Sequence, residues 1–334
     1  MPTWYNQTVI NIEFATYILL SPATFVLGLS VHVMFLLAYY HQSKKQATYK
    51  YQVFLVAIET AEIVIFFLYS LSIHWCFDPH IGQAWGCTRN YAIMWYGHHL
   101  SFQLLNGVTT TKLLLSLSTA ADRLLAMMRP VAYKNLRHGV HQSAALMVSL
   151  IVGLGTSAFD CFRYYLKPVA DGRYEVEVDY SFVRSTTGRA LSLMRDGLRC
   201  AGLFLLLVFN VLVVKMYRLR NLKVSTMIAA DDANERRRSN ERTLTFLTIA
   251  SSILSSVDIT LYISFYVTWY FASEFAECIG YLSIPILDAA LQVTSTVNLY
   301  LVLWMSKSVR KMVWMALRCC RGHGRTREQE TYQG

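Results

Sequence analysis

The sequence predicts an all-α membrane protein, a seven-transmembrane helix bundle with a short amphipathic eighth helix on the cytoplasmic side. Of its 334 residues, 54% are hydrophobic and only 16% are charged, and the mean hydropathy is +0.33. This composition is typical of a chain dissolved mostly in lipid. Crossing the hydrocarbon core takes about 20 apolar residues. Seven windows reach that length, at 17–40, 51–74, 91–128, 143–165, 191–217, 244–271 and 281–305.

The lysines and arginines orient this bundle. Residues 1–16 contain neither, and most of the 31 in the chain fall in segments that lie inside if the N-terminus is outside. Asn6 begins an N-glycosylation sequon, which agrees with an outer N-terminus. We therefore expect a protein of the plasma membrane with an extracellular N-terminus at 1–16 and the transmembrane bundle at 17–305. The amphipathic helix follows at 306–318, and a cytoplasmic tail at 319–334.

The net charge of +10 also fits a membrane protein. The basic residues lie between the apolar windows, where anionic lipid headgroups attract them. Nucleic-acid binding would need a basic patch together with a recognition motif. We therefore expect membrane lipid, and no nucleic acid, as a partner.

Two connections carry their own structural signals. In the outer connection at 167–188, Asp171 and Gly172 predict a turn, and the apolar residues after it alternate with charges as in a hairpin strand. After the seventh window, the apolar residues at helical spacing suit a helix in the inner headgroup layer; they are Val309, Met312, Val313 and Ala316. Cys319 and Cys320 then stand at the membrane surface, either as palmitoylation sites or as unmodified cytosolic thiols.

The third window carries charge deep in the membrane. It ends at Asp122 and Arg123, which mark its cytoplasmic end, and Lys112 lies eleven residues earlier. That separation is about 16 Å along a helix. An unpaired ammonium at such depth costs at least about 2.5 kcal/mol. Lys112 must therefore find an acid, or be held by backbone carbonyls or water and lose its proton.

Three places in the chain resemble the rhodopsin-like family of G-protein-coupled receptors. Asp122-Arg123-Leu124 stands where that family has Asp/Glu-Arg-Tyr, and NLYLV at 298–302 stands where it has Asn-Pro-x-x-Tyr. Glu62 falls at the position of the family's aspartate in the second helix. The resemblance implies an extracellular ligand, a heterotrimeric G protein as partner, no enzymatic activity, and no cofactor or metal.

A shorter resemblance concerns the ligand. Residues 240–245, NERTLT, are similar to the entry of the sixth helix in invertebrate FMRFamide-type peptide receptors and related nematode chemoreceptors. This implies a neuropeptide ligand, with a chemosensory receptor for a small molecule as the alternative. The chain departs from the rhodopsin-like pattern at Leu299, Val302 and His32, where the family has proline, tyrosine and asparagine.

The resemblance assigns roles to two groups of residues. It gives Arg123 the inner lock and the G-protein contact, with Asp122 as its counter-charge. It also places Lys112 in a polar cluster where many relatives hold a sodium ion; the other members are Glu62, Thr294, Ser295 and Asn298. Glu59, one turn before Glu62, is the competing partner for the lysine.

Two further intramembrane acids are candidates for ligand binding. Asp258 and Asp288 lie in the sixth and seventh windows, where a carboxylate needs a cationic partner or a proton. One of them is expected to receive a cationic group of the ligand in a cavity lined by His99, Gln103 and Tyr262. The alternative is an internal ion pair with Arg195 or Arg199 of the fifth helix.

The cysteines predict a disulfide different from that of the family. The family's usual bridge cannot form, because His98 occupies one of its positions and the second outer loop has no cysteine. Cys76 and Cys87 share an outer connection and can close a local loop, or either can pair with Cys278. The cysteines at 161 and 200 are expected to be buried free thiols.

Two other classes of membrane protein fit less well. A retinal-binding protein needs a lysine in the seventh helix for its Schiff base, and 284–305 contains none. A transporter or channel, the alternative of another class, would be expected to show repeated halves or paired broken helices. The histidines show no metal-ligand spacing.

Overall fold

A computed structural model gives the architecture of the protein. It describes residues 11, 12, 14–44, 49–71, 90–129, 131, 133, 138–169, 172 and 174–225, and in the remainder 260, 286, 289, 292, 293, 296, 297, 299, 300, 303, 304 and 309–315. The sixth window, apart from residue 260, and most of the seventh therefore lie outside the described residues.

Five long helices form the described part of the bundle. They are α1 at Ser21–Ser43, α2 at Lys50–Ser70, α3 at Ser101–Met128, α4 at His138–Ser157 and α5 at Thr186–Ser225. Shorter helical segments precede α1, α3 and α5 or follow α4, at Phe14–Leu20, Tyr91–Met94, Trp95–Leu100, Tyr180–Arg184 and Ala158–Phe162. Within these residues, four stretches are long and apolar enough to cross a bilayer: Phe14–Ser43, Lys50–Ser70, Val140–Phe162 and Thr186–Tyr217.

The helix α3 is central, carries many buried polar side chains, and is not among the four stretches that are apolar enough to cross a bilayer by composition alone. It packs against α2, α4 and α5, so its polar side chains face protein and not lipid. Thr111 shows this at the contact with α4, where its hydroxyl donates to the carbonyl oxygen of Ser149 at 3.2 Å. The two helices approach closely at Gly107 and Gly153, since a Cβ on Gly153 would lie 2.7 Å from the Gly107 carbonyl oxygen.

The predicted hairpin is confirmed, and its first strand begins before the predicted connection at 167–188. Strands β1 (Tyr164–Pro168) and β2 (Tyr174–Val178) pair antiparallel. Gly172 supplies a positive φ of 78° between them. The predicted end of the fourth membrane window at residue 165 is wrong, because Tyr164 and Tyr165 belong to β1. Hydropathy does not separate apolar strand residues from the end of an apolar helix.

The amphipathic helix is present over 309–315. Val309 and Val313 are 1% and 5% exposed and pack against Phe35 and Tyr39 of α1. Trp314 on another face is exposed. Two residues of the predicted apolar face therefore pack on the bundle, and the expected position in the headgroup layer stays a prediction.

The expectation of buried thiols is also wrong. Cys161 is a half-buried free thiol, and Cys200 is an exposed one on the outer surface of α5. Phe204 and Val211, on the same helix, are each 67% exposed. A residue that faces lipid has surroundings as apolar as a residue in the core, so hydrophobicity alone did not predict which thiol is covered by protein.

Candidate functional site

A buried ion pair joins α2 and α3 in the described part of the bundle. The Lys112 Nζ lies 2.6 Å from Glu62 Oε2, and the two residues are 2% and 1% exposed. Thr109 donates to the other carboxylate oxygen of Glu62 at 3.1 Å. The structure thus places beside Lys112 the acid that the resemblance assigned to it.

The competing acid lies against a different residue. Glu59 Oε2 is 3.7 Å from His32 Nε2 of α1, and both residues are buried. The other ring nitrogen of His32, Nδ1, is 2.7 Å from the Gly28 carbonyl oxygen. Two acids one helical turn apart therefore face two different helices.

Described residues of the seventh window also contact α1, the helix that carries His32. Thr24 donates to Gln292 Oε1 at 2.8 Å. One turn further along, a Cβ on Gly28 would lie 2.8 Å from the Thr296 hydroxyl oxygen, so the two helices are close there. Three predicted members of the polar cluster lie outside the described residues; they are Thr294, Ser295 and Asn298.

The C-terminal end of α3 is hydrogen-bonded to the connection that follows it. Asp122 and Arg123 are 3% and 7% exposed. The Tyr133 hydroxyl donates to Asp122 Oδ2 at 2.9 Å. Tyr133, which follows the end of α3 in the chain, thus contacts the aspartate directly.

A second buried ion pair, which was not foreseen, joins α5 to the short helical segment that follows α4. Arg195 Nη1 lies 2.8 Å from both carboxylate oxygens of Asp160, and both residues are at most 1% exposed. Arg163 adds a guanidinium 3.8 Å from the same carboxylate. The signal was available, because Asp160 is an acid inside the fourth apolar window and needs a cation there.

The neighbouring arginine reaches α3. Arg199 Nε donates to the Thr110 hydroxyl at 2.9 Å, and its Nη2 donates to the Asn106 backbone carbonyl at 2.7 Å. Asp258 and Asp288, offered as partners for these arginines, lie outside the described residues. Buried polar groups of α3, of the segment after α4 and of α5 therefore lie close together, with two guanidinium groups one helical turn apart on α5.

The hairpin contacts the N-terminal end of α3 and the short helical segment before it. His99 is 4% exposed, and its Nε2 lies 2.7 Å from the Tyr164 carbonyl oxygen of β1. Phe102 meets the Tyr164 ring edge-on, with ring centroids 5.3 Å apart. Gln103 is half-buried near them in sequence, and Tyr262, the remaining residue of the predicted cavity, lies outside the described residues.

A comparison with protein families decides what kind of bundle this is. A family model described as serpentine type 7TM GPCR chemoreceptor Srv matches residues 17–319. The chain belongs to this family. No curated protein matches the chain.

As a member of the Srv family, the chain is a multi-pass seven-helix membrane protein of the G-protein-coupled receptor class, and the predicted fold class is confirmed. The family is one of chemoreceptors, which in general bind an extracellular ligand and couple to a G protein. This agrees with the resemblance to nematode chemoreceptors, while the FMRFamide-type resemblance and the neuropeptide ligand receive no support from the match.

Several predicted modification sites lie outside the described residues of this Srv receptor. They are Asn6 for glycosylation, Cys76 and Cys87 for the disulfide, and Cys319 and Cys320 for palmitoylation. They stay predictions.

Proposed function

We propose that this chain is a chemosensory receptor of the plasma membrane that binds an extracellular small molecule and activates a heterotrimeric G protein. The observation that carries the proposal is the Srv match over 17–319. The N-terminus is extracellular in this proposal, so β1 and β2 lie on the outer side and Tyr133 on the inner side.

The outer half of the described bundle supports a small ligand over a peptide. The hairpin lies across the outer end of α3, where Met94 is fully buried against Leu166 and Tyr174. Beneath it are the buried polar groups on α3, α4 and α5. A covered site with a few convergent polar groups is the usual form of a small-molecule site. The ligand site includes His99 and Gln103 and, from the sequence, Asp258, Tyr262 and Asp288.

The inner half supports coupling. Arg123, at the end of α3, makes the G-protein contact, and Asp122 and Tyr133 hold it and the following connection in the resting arrangement. A ligand that binds the open state more tightly than the resting state shifts the population toward the open state. In this proposal, Lys112 takes the place of the cation that relatives hold beside Glu62, so signalling does not depend on sodium.

The experiment is a ligand screen in cells that express the full chain with an N-terminal tag. Small volatile and water-soluble compounds form one arm and invertebrate neuropeptides the other, with calcium and cyclic AMP as readouts. Antibody access to the tag in unpermeabilised cells reports the orientation. We expect responses in the small-molecule arm, and a response to peptides alone would overturn the proposed ligand class.

Arg123→Ala tests the coupling role once a ligand is found. The variant should reach the cell surface at the wild-type level and lose the response, because the guanidinium supplies the G-protein contact. Arg129→Ala, six residues further along at the exposed end of α3, is the matched control and should still respond. Normal signalling by Arg123→Ala at equal surface expression would refute the coupling role.

A further inference from the structure

Three polar side chains toward the C-terminal end of α3 are buried with polar atoms that no protein group satisfies. Tyr51 of α2 and Gln142 of α4 are fully buried, and Asp122 of α3 is 3% exposed. In the part of the chain that the structure describes, the Tyr51 hydroxyl, Asp122 Oδ1 and both amide atoms of Gln142 make no hydrogen bond. Buried polar atoms in proteins are almost always hydrogen-bonded, because an unmade bond there costs free energy. These four atoms therefore need a partner other than the side chains around them.

The register of α3 against α4 brings two of these side chains to nearly the same level. Thr111 of α3 is bonded to Ser149 of α4, and the two helices run antiparallel. Seven residues further along α3 and seven residues back along α4 therefore lie opposite each other, which places Gln142 level with Ser118. Asp122 follows Ser118 by four residues, so it lies one turn further along on the same face of α3. Gln142 and Asp122 thus lie within about one helical turn of each other where α3 meets α4.

Tyr51 reaches the same place from α2. It lies in one cluster with Leu115 of α3, and Leu146 of α4 packs against that cluster. Gln142 is one turn before Leu146 on α4. The Tyr51 hydroxyl is also within electrostatic range of the Asp122 carboxylate. The unsatisfied atoms of three helices therefore converge on one buried place between α2, α3 and α4.

We propose that Tyr51, Asp122 and Gln142 form a binding site for an internal water molecule. The atoms that need partners are a carboxylate oxygen, an amide oxygen, an amide N–H group and a hydroxyl, and water both donates and accepts hydrogen bonds. Buried waters typically make about three hydrogen bonds to polar groups that the protein leaves unsatisfied. The enclosed position requires a small ligand. A neutral ligand fits better than a cation, because the charge of Arg123 already acts on Tyr51 and a cation would add a second positive charge nearby.

Infrared spectroscopy of the purified full chain in lipid nanodiscs observes this water directly. Spectra are recorded in ordinary water and in water that carries the heavy oxygen isotope, which shifts the O–H band of bound water and leaves protein hydroxyls unchanged. The wild-type spectrum minus that of Tyr51→Phe should contain an isotope-sensitive O–H band, and the difference for Gln142→Leu should contain the same band. Tyr49→Phe is the matched control, because the ring of Tyr49 packs near Tyr39 of α1, and its difference spectrum should lack the band. The absence of an isotope-sensitive band, or a band in only one of the two site differences, would overturn the proposal.

Thermal unfolding of the same samples tests whether the side chains share one water. Tyr51→Phe and Gln142→Leu should each lower the melting temperature, and the double variant should lose less than the sum of the two, because the first substitution already weakens the bound water. Tyr49→Phe combined with Gln142→Leu should give additive losses. A direct bond from Tyr51 to Asp122, without water, would make the losses at Tyr51 and Gln142 additive as well, and that result would refute the shared site.

Discussion

Breaking the ion pair between α2 and α3 should cost the receptor far more stability when one charge is removed than when both are. At the observed 2.6 Å between Lys112 Nζ and Glu62 Oε2, and an effective dielectric constant of about 20, the Coulomb attraction is about 6 kcal/mol. Desolvation of the two charges offsets part of this attraction. Lys112→Met or Glu62→Gln alone leaves the opposite charge buried, which costs about 3–5 kcal/mol.

The assay is a double-mutant cycle on purified full-length receptor, scored by thermal and denaturant unfolding. The double variant should be more stable than the sum of the two single losses predicts, by well over the roughly 0.5 kcal/mol within which independent sites add. Glu59→Gln on the same helix controls for the loss of an acid as such. Strictly additive losses would show that the two charges do not stabilise each other. Separately, a response of the wild-type receptor to sodium would contradict the proposal that Lys112 replaces the cation.

Three further variants test other parts of the structure. Gly153→Ala forces a Cβ into the α3–α4 crossing and should lower the free energy of unfolding by about 1–3 kcal/mol. Gly155→Ala is the control, because nothing lies within 4 Å of the added carbon, and it should cause no measurable loss of stability. Equal melting temperatures of the two variants would disprove the close approach. Asp160→Asn leaves Arg195 without its buried carboxylate and should lower stability by about 3–5 kcal/mol, and an unchanged unfolding midpoint would argue against that pair. On the exposed hairpin, a bonded lysine of the facing strand lowers the pKa of Glu177. Hairpin pairing, followed by an environment-sensitive label, should therefore be intact at neutral pH and weaken as pH falls below about 4; Glu177→Gln should lack that transition.

The sequence by itself determined the membrane architecture. Each run of about 20 apolar residues can be recognised without knowledge of the others. Such a run crosses the bilayer as a helix, because a helix satisfies the polar backbone groups that would otherwise be unpaired in lipid. The hairpin could also be predicted from local sequence, since it depends on a turn at Gly172 and on the alternation of apolar and charged residues after that turn. That Lys112 must either find an acid or lose its proton followed from its depth alone, because the cost of a buried charge does not depend on which helix supplies the partner.

The tertiary structure decided which partners meet. Glu59 and Glu62 are three residues apart on one helix, and only the rotation and depth of α2 against α1 and α3 set Glu62 beside Lys112 and Glu59 beside His32. The pairing of Asp160 with Arg195 likewise depends on how α4 meets α5. A helix in lipid can be apolar on every side, so its sequence carries little information about which face turns toward protein. The relative rotation of neighbouring helices is settled by packing and by the few polar groups that must find one another.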